Sequence, residues 1–549
     1  MTTARHEAAE SITWASRRLL AIAFITLIYC AIFWRSGLQA PDPTSSLIYF
    51  RNFTRGEPLI GLAFVVWLAW NASAWITKPT ESARVFAEPF VGMWRVRVPS
   101  IVLLGLLPPL LAGTFVGRGF PIAMDEYGSW LQARLVRDGT LVGRLPQSWV
   151  SFRDSLTPVF VQSGSSPDTW VLSYLPGYSV LLAAADAAHL ISWLNPILNA
   201  VALIALWGVA RHRWPGDAET QTVAVLALAL STQFQLAGTT LYSMPAHLAF
   251  NMVWLWGYTR GGAARLIMGP VGFFASILHQ PIPHPLFALP FLFRMVRKRE
   301  WSMLGYLSGW YLAAIVVFIA WSGLGGGANG APFGIPSTAN FTVLAMHVIT
   351  ILTWQTPVTG LLLLISLRRW SLLDEVDHDL FGGLAISLVL YLFFVLVTQG
   401  HGYGWRYGHQ VLGNLALLAA TSWRQLRESL DAPRLRALVV SSVLVTCIVQ
   451  VPWRTIQAAK ISRPFIAAHQ WLAGQTSRVV LVPTDSLWYG RDLIRNTPDL
   501  RTPILMHAQG ANSVGLRSIF RTDSLTVRRV SVEELEALGL ERLPTGRSR

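Results

Sequence analysis

The chain has 549 residues, of which 52% are hydrophobic and 13% are charged. Soluble domains carry about 25% charged residues, so a water-exposed surface over most of this chain is excluded. The formal net charge is +15. Because the basic residues lie in short clusters between apolar runs rather than on one stripe, nucleic acid is not an expected partner.

Apolar runs recur along most of the chain, each long enough to cross roughly 30 Å of hydrocarbon as a helix. Examples are residues 19–34, 57–76, 98–117, 221–237, 304–323, 379–398 and 435–452. The pattern predicts an all-α polytopic membrane protein with about 13 transmembrane helices. The two cysteines, Cys30 and Cys447, both lie in apolar runs, so neither a disulfide framework nor a zinc site is expected.

Clusters of arginine and lysine indicate the orientation of these runs. They fall between alternate runs, as at Arg211 and Arg213, whereas the short loops between the other runs contain only Arg406. By the positive-inside rule, the N-terminus is predicted inside the cell and the tail outside. Two apolar segments, 174–191 and 195–211, lie where a single crossing fits, which leaves open that one of them is re-entrant.

Hydropathy divides the chain into three predicted parts. Residues 1–97 form a cytoplasmic segment and an accessory transmembrane hairpin, and residues 98–453 form the main membrane domain. Residues 454–549 contain strand-like runs, RVVLVP (478–483) and TPILMHA (502–508), which favour a small extracytoplasmic α/β domain. Ser531 and Glu534 match a capping box for a short terminal helix.

The longest polar loop between spans, residues 118–173, is predicted to be external. Its segment DEYGSWLQARLVRDG has helical spacing, with Tyr127, Trp130 and Leu131 on one face, and Gly139 is expected to end the helix. We expect this amphipathic helix to lie flat on the membrane with its apolar face down.

Two adjacent carboxylates, Asp125 and Glu126, stand at the head of this helix. One interpretation is structural: Asp125 caps the helix and Glu126 favours its positive dipole end, which is common at helix starts. The other is that the pair performs chemistry in the external loop.

Four patches, taken in order, carry a resemblance to a known family. They are DEYGSWLQARLVRDG (125–139), YLPGYSVLL (174–182), LYSMPAHLAF with HQPIPHPLFALP (241–250, 279–290), and GYGWRYGHQVLGNLALL (402–418). Over residues 98–425 their order and spacing resemble the C-fold (GT-C) membrane glycosyltransferases, a superfamily that includes protein O-mannosyltransferases and lipid A aminoarabinose transferases. The family usually has an arginine where this chain has Gln280, and the second patch lacks the common second proline, so the substrate is left open.

The resemblance implies a GT-C-like catalytic domain in the bacterial cytoplasmic membrane, with the active site on the extracytoplasmic face. The implied donor is a polyprenyl-phosphate sugar, and the acceptor is a glycan, a lipid or a protein. No cofactor is expected, although a divalent cation is left open. Asp125 is the implied general base, with inversion at the anomeric carbon. Glu126 would orient the acceptor, hold a basic partner or act on Asp125 through like-charge proximity.

Leaving-group chemistry also favours a single base. A sugar linked through phosphate already has a good leaving group, so it does not need the second carboxyl group of a glycosidase. The departing phosphate gains negative charge and needs a fixed cation. Arg406 is the expected cation, and the other residues expected at the donor phosphate are Tyr403, Tyr407, His409 and Tyr174. Alternatively, Arg406 with its aromatic neighbours anchors a helix end.

Other ionisable residues permit further interpretations. Arg134 can reach the lipid phosphate, pair with Glu126 or anchor its helix. His247, His279 and His284 lie near prolines at predicted span ends, where they can satisfy backbone carbonyls, line the lipid groove or hold a metal.

A transporter or lipid flippase is the alternative function, and it would need ionisable residues near the middle of the bilayer. Only Asp186 and His189 interrupt an apolar stretch deeply. A catalytically inactive scaffold is a third possibility.

Overall fold

The computed structural model describes residues 2–37, 57–117, 119–325, 334–336, 338–393, 403–509, 516 and 526–543, and within them the chain is mainly α-helical. In chain order the helices are α1 (Thr2–Gly37), α2 (Glu57–Thr77), α3 (Thr80–Ala87), α4 (Val98–Val116), α5 (Met124–Arg137), α6 (Arg153–Leu156), α7 (Gly177–Ala187), α8 (Leu194–Arg213), α9 (Ala218–Ala229), α10 (Thr232–Ala237), α11 (Met244–Arg260), α12 (Met268–Ile277), α13 (Pro283–Arg297), α14 (Trp301–Gly323), α15 (Thr338–Thr353), α16 (Pro357–Arg368), α17 (Glu375–Leu392), α18 (Leu412–Arg427), α19 (Ala432–Val445), α20 (Val451–Ala473) and α21 (Val532–Glu536). The strands are β1 (Gly143–Arg144), β2 (Val161–Ser163), β3 (Thr169–Leu172), β4 (Val479–Val482), β5 (Ile504–His507) and β6 (Val527–Arg529).

Within the described residues, four helical segments are long and apolar enough to cross a membrane: Val98–Val116, Ile191–Arg213, Trp301–Gly323 and Ala432–Ala473. In α14 large apolar side chains face outward, with Val316 and Ile319 more than 60% exposed. Such a surface suits lipid and not water. The chain is therefore a mostly helical membrane protein, while the total of about 13 crossings stays a prediction. Residues 394–398 of the predicted run 379–398 lie outside the described residues.

Helices α7 and α8 lie in the two apolar segments, 174–191 and 195–211, where the predicted topology has room for a single crossing. Helix α7 has 11 residues and is about 16 Å long, roughly half the thickness of the hydrocarbon. Its first turn docks on the end of α12, where the Tyr178 N–H donates to the Leu278 carbonyl at 2.7 Å. Helix α8, with 20 residues, is the one long enough to cross, so a re-entrant α7 fits the structure.

Helix α5 forms where the sequence predicts it, and Gly139 follows its end with a φ of +75°. Its surroundings differ from the prediction. Tyr127 and Leu131 are buried, but so are polar residues on its other faces, among them Ser129 and Gln132. The helix packs against β3 and α7. Since protein covers both its apolar and its polar faces, the expectation that the apolar face of α5 rests in lipid is wrong.

The C-terminal segment contains a three-stranded parallel sheet in the order β5-β4-β6, with Val479 paired to Ile504 and to Val527. The predicted runs RVVLVP and TPILMHA supply β4 and β5, and α21 starts with the predicted capping box of Ser531 and Glu534. One face of the sheet packs on α20. Because α20 runs unbroken through residue 453, the predicted boundary there lies inside a helix, and the division into domains stays a prediction.

Several long helices share one direction. Prolines occupy the first turns of α11, α13 and α16, where a missing N–H costs nothing. Arginines occupy the last turns of the helices α8, α11, α13, α16 and α18. One end of the bundle is thus rich in arginine, as expected for the cytoplasmic side, and the first turns of α11 and α13 lie at the other end.

Candidate active site

Asp125 and Arg406, far apart in the sequence, form an ion pair. Both residues are more than 90% buried. The Tyr174 hydroxyl donates to Asp125 Oδ1 at 3.5 Å, and the Arg406 guanidinium lies 4.3 Å from the centre of the Tyr242 ring and 5.9 Å from that of Tyr407. The structure therefore brings together four of the predicted site residues, which are Asp125, Tyr174, Arg406 and Tyr407.

Glu126, not Asp125, caps α5. Its carboxylate accepts hydrogen bonds from the backbone N–H groups of Ala123, at 2.9 Å, and Leu241, at 2.7 Å. The structural interpretation of Asp125 as the cap is therefore wrong, because the N-cap position is Ala123 and the reciprocal contact comes from the third residue of the helix. This arrangement leaves the Asp125 side chain for the contact with Arg406.

The burial of Glu126 has an electrostatic consequence. Burial raises the pKa of Glu126 to about 7, although its two backbone hydrogen bonds and the nearby Arg495 act in the opposite direction. The expectation of a basic neighbour for Glu126 is met by Arg495 and not by Arg134. Arg134 lies about two turns further along α5, with its guanidinium 5.0 Å from the centre of the Trp130 ring.

Arg495 was not identified from the sequence. Its guanidinium donates to the backbone carbonyls of Pro121 and Ile122, directly before α5, and to that of Asp492. The Tyr127 hydroxyl in turn donates to the Asn496 carbonyl at 3.0 Å. The C-terminal segment thus fixes the turn that presents Asp125. No local pattern could reveal this, since the contacts join residues more than 350 positions apart.

The segment that carries Arg406 is held by Gln233, which was also missed. The Gln233 amide accepts from the Trp405 N–H at 2.9 Å and donates to the Trp405 carbonyl at 2.6 Å. Gly404 adopts a φ of +65°, and a Cβ there would lie 2.5 Å from the Gln233 side chain. A tight turn that only glycine permits therefore aims Arg406 at Asp125.

Two further predicted donor-site residues, Tyr403 and His409, are buried on the same segment as Arg406. Tyr403 stacks on Trp354, with ring centroids 6.5 Å apart. The His409 ring lies 3.5 Å from the Gln233 amide, and burial lowers the pKa of His409 to about 3. Both residues contact other side chains of the protein, and their contact with a donor phosphate stays a prediction.

A cavity of about 370 Å³ opens beside Arg406. It is lined by Ser243, Met244, His247, His279, Gln280, Pro283, Arg406, Tyr407 and Gln410. The Tyr174 ring stacks on His279 with centroids 3.8 Å apart, so the cavity adjoins both residues that contact Asp125.

The histidines have separate surroundings. Within the part of the chain that the structure describes, no group of three or more His, Cys, Asp or Glu side chains is arranged to hold a metal ion. His284 lies 2.8 Å from the Asn251 side chain and 3.0 Å from the Tyr311 hydroxyl, which is a structural role. His247 and His279 face the cavity instead.

The two residues that motivated a transport function lie at the margin of the fold. Asp186, near the end of α7, forms an ion pair with Arg137 of α5. His189 follows the helix and is exposed. Because α7 is too short to cross by itself, neither residue lies in the interior of a spanning helix.

Comparisons with known proteins add a similarity in structure. No protein-family model matches the chain, and no curated protein matches its sequence. The crystal structure of ArnT from Cupriavidus metallidurans bound to undecaprenyl phosphate is similar over 81% of this chain and 91% of that chain, with a TM-score of 0.47 and 13% identity. The same protein in the apo state matches over 70% and 82%, with a TM-score of 0.45 and 12% identity.

Proposed function

We propose that this protein is a glycosyltransferase that moves a sugar from a polyprenyl-phosphate donor to an acceptor on the extracytoplasmic face of the bacterial cytoplasmic membrane. The observation that carries the proposal is the buried Asp125–Arg406 pair beside a cavity. It combines a candidate base with a cation in one site. A transferase acting on a phosphate-linked sugar needs both groups.

The proposed reaction needs one carboxylate. Asp125 takes the proton of the acceptor hydroxyl while the acceptor oxygen forms a bond to the anomeric carbon. The bond from that carbon to the phosphate oxygen breaks on the opposite face, and its electron pair leaves with polyprenyl phosphate. Arg406 stabilises the negative charge that develops on the phosphate. Attack from the opposite face inverts the anomeric configuration.

Binding of the donor would prepare Asp125 to act as the base, because without the donor its carboxylate is paired with Arg406. Asp125 and Arg406 balance each other's charge in a buried site, where an unpaired charge is costly. A donor phosphate that binds to Arg406 competes with Asp125 for the guanidinium. We propose that this competition releases the carboxylate to accept the proton only when a donor is present.

The position of the pair relative to the apolar helices supports an external site. Asn195, in the first turn of α8, donates to the carbonyls of Thr240 and Tyr242, and the Tyr242 ring contacts Arg406. Arg213 ends the same helix. With the arginine-rich ends on the cytoplasmic side, the Asp125–Arg406 site lies on the extracytoplasmic side.

The experiment is a transfer assay with the full chain reconstituted in lipid vesicles. A polyprenyl-phosphate donor with a radiolabelled sugar is supplied together with an extract of the cell envelope as acceptor, and labelled product is measured. We expect transfer by the unchanged protein and a loss of about 10²–10⁴-fold for Asp125→Asn, the usual effect of removing a general base.

The matched control is Asp154→Asn, since Asp154 is an exposed aspartate of the same external segment and pairs only with its neighbour Arg153 among the described ion pairs. This variant should keep full activity. Full activity of Asp125→Asn would overturn the proposed base. Movement of labelled lipid across the bilayer with no transfer would favour the alternative of a flippase.

A further inference from the structure

The loop between β4 and β5 reaches from the C-terminal sheet to the Asp125–Arg406 pair. Arg495, whose contacts hold the turn before α5, belongs to this loop. Tyr489 belongs to the same loop and is half-buried, and it lies close enough to Arg406 to interact with its charge. The C-terminal segment therefore supplies a side chain to the surroundings of the cation as well as to those of the base.

Tyr489 has a backbone conformation that residues with a side chain rarely adopt. Its φ is +50° and its ψ is 26°, in the left-handed region that favours glycine. The next residue, Gly490, packs so closely on Thr484 that a Cβ would lie 2.2 Å from the Thr484 carbonyl oxygen. Such a conformation persists only where the surrounding structure holds it, and it is found most often at functional sites.

Contacts on the sheet side hold this turn independently of Arg495. The Trp488 N–H donates to the Glu541 carbonyl at 2.9 Å. The Thr484 hydroxyl lies 2.7 Å from Nδ1 of His507, the last residue of β5. Tyr489 is therefore held in position by the folded C-terminal segment and does not lie at a free loop tip.

The Tyr489 hydroxyl next to Arg406 is suited to binding an anion. Burial raises the pKa of Tyr489, although the charge of Arg406 acts in the opposite direction. The phenol therefore keeps its proton at physiological pH and can donate a hydrogen bond. Arg406 cannot accept that bond, because a guanidinium has donors only. A phosphate bound to Arg406 has several oxygen lone pairs and can accept from both groups.

We propose that the Tyr489 hydroxyl donates a hydrogen bond to the donor phosphate at Arg406, so that the C-terminal segment completes the donor site. The inference rests on the proposed glycosyl transfer and adds a donor-binding residue to it. Negative charge grows on the phosphate as the sugar leaves, so this hydrogen bond strengthens during the reaction. The loop then has two separate roles: Arg495 positions the base, and Tyr489 binds the leaving group.

The test is binding of radiolabelled undecaprenyl phosphate to the full chain in lipid nanodiscs. Tyr489→Phe removes one hydroxyl and keeps the ring. We expect Kd to rise about tenfold or more, the usual loss for one hydrogen bond to a charged group. Tyr306→Phe, on α14, is the matched control, because it also removes a hydroxyl that makes a hydrogen bond, to the Leu266 carbonyl at 2.6 Å. It should leave Kd unchanged.

Competition by undecaprenol, which carries a hydroxyl in place of the phosphate, separates a phosphate contact from a structural role. Tyr489→Phe should bind undecaprenol as the unchanged protein does, because the variant loses only a contact with phosphate. Equal weakening of both lipids would show that the variant deforms the site, and it would overturn the proposed contact.

A second variant moves the tyrosine without changing it. Gly490→Ala places a Cβ 2.2 Å from a carbonyl oxygen, so the turn must shift and undecaprenyl phosphate should bind more weakly, as in Tyr489→Phe. Gly474→Ala is the control, since a Cβ there would lie 3.5 Å from the nearest atom, which is an ordinary contact. It should leave Kd unchanged.

The outcomes separate this inference from the proposed function. An unchanged Kd in Tyr489→Phe, together with loss of binding in Arg406→Met, would overturn the inference and leave the phosphate site standing. Failure of the unchanged protein to bind undecaprenyl phosphate would reject the proposed function together with this inference.

Discussion

The buried ion pairs near the two ends of helix α8 have different surroundings. Asn195 and Arg213 are 18 residues apart on this helix, which corresponds to about 27 Å, close to the thickness of the hydrocarbon. At the end marked by Arg213, ion pairs are numerous and shared. At the end marked by Asn195, the Asp125–Arg406 pair lies among polar atoms that have no partner.

At the Arg213 end, the ion pairs connect the ends of several helices. Arg213 donates to Asp374 and Asp377, both at 2.8 Å, and Asp377 also accepts from the Thr421 hydroxyl. In a second group Arg427 pairs with Asp217 and Glu219, and Arg436 pairs with Glu219 as well. These pairs tie helix ends together, although Arg213 Nη1 and Arg436 Nε have no hydrogen-bond partner in the structure.

At the Asp125–Arg406 end, polar atoms that line a cavity can bind a ligand. The neighbouring atoms of Ser243, His247, His279 and Gln410 face a cavity instead of one another. Unsatisfied polar atoms reduce stability, and proteins keep them where function needs them. We infer that a charge pair whose partners are shared among helix ends stabilises the fold, whereas a charge pair beside a cavity lined by unsatisfied polar atoms marks a binding site.

The largest effect is expected when an arginine is replaced by methionine at either end of α8. Arg213→Met and Arg406→Met each leave a buried aspartate without its cation, so each should lower the free energy of unfolding by about 3–5 kcal/mol. Only Arg406→Met should also abolish binding of undecaprenyl phosphate. Thermal unfolding in detergent measures the first effect, and binding per folded molecule measures the second. Loss of lipid binding in Arg213→Met would contradict the claim that only the Arg406 end binds the lipid.

A smaller effect concerns Glu126, whose pKa is raised from 4.5 to about 7 by burial. The folded protein holds this proton more tightly than the unfolded chain. The resulting stabilisation is fully present below about pH 4.5 and is lost as the pH rises through 7, with a magnitude of about 3 kcal/mol.

Glu126→Gln should flatten that part of the pH profile, which unfolding measurements between pH 4 and 8 can detect. The exposed Glu81→Gln, on α3, is the control and should leave the profile as in the unchanged protein. A slope that persists in Glu126→Gln would assign it to another group.

The smallest expected effect concerns Arg495, a positioning residue. Arg495→Met removes the hydrogen bonds to the carbonyls of Pro121 and Ile122, so the turn before Asp125 loosens. We expect kcat to fall about 10-fold while KM for the donor stays nearly constant, because misplacement of the base affects the chemical step. Arg495→Lys should recover part of kcat. A change in KM alone would indicate that Arg495 contacts the donor.

Much of the fold was accessible from hydropathy, because membrane spans and arginine clusters are local signals. The order of the patches also predicted that Asp125, Tyr174 and Arg406 belong to one site, and the structure brings them together. The sequence could not reveal Gln233, Gln410 or Arg495, because their importance comes from contacts between distant segments. The expectation that the apolar face of α5 rests in lipid is wrong for a related reason: protein covers that face as well as the polar faces.

The most direct test of the central claim is a structure of the full chain in nanodiscs with undecaprenyl phosphate. We expect the phosphate to lie within hydrogen-bond distance, about 3 Å, of the Arg406 guanidinium and Asp125 to face the same cavity. Phosphate density at the Arg213 end, or at any position without contact to Arg406, would contradict it.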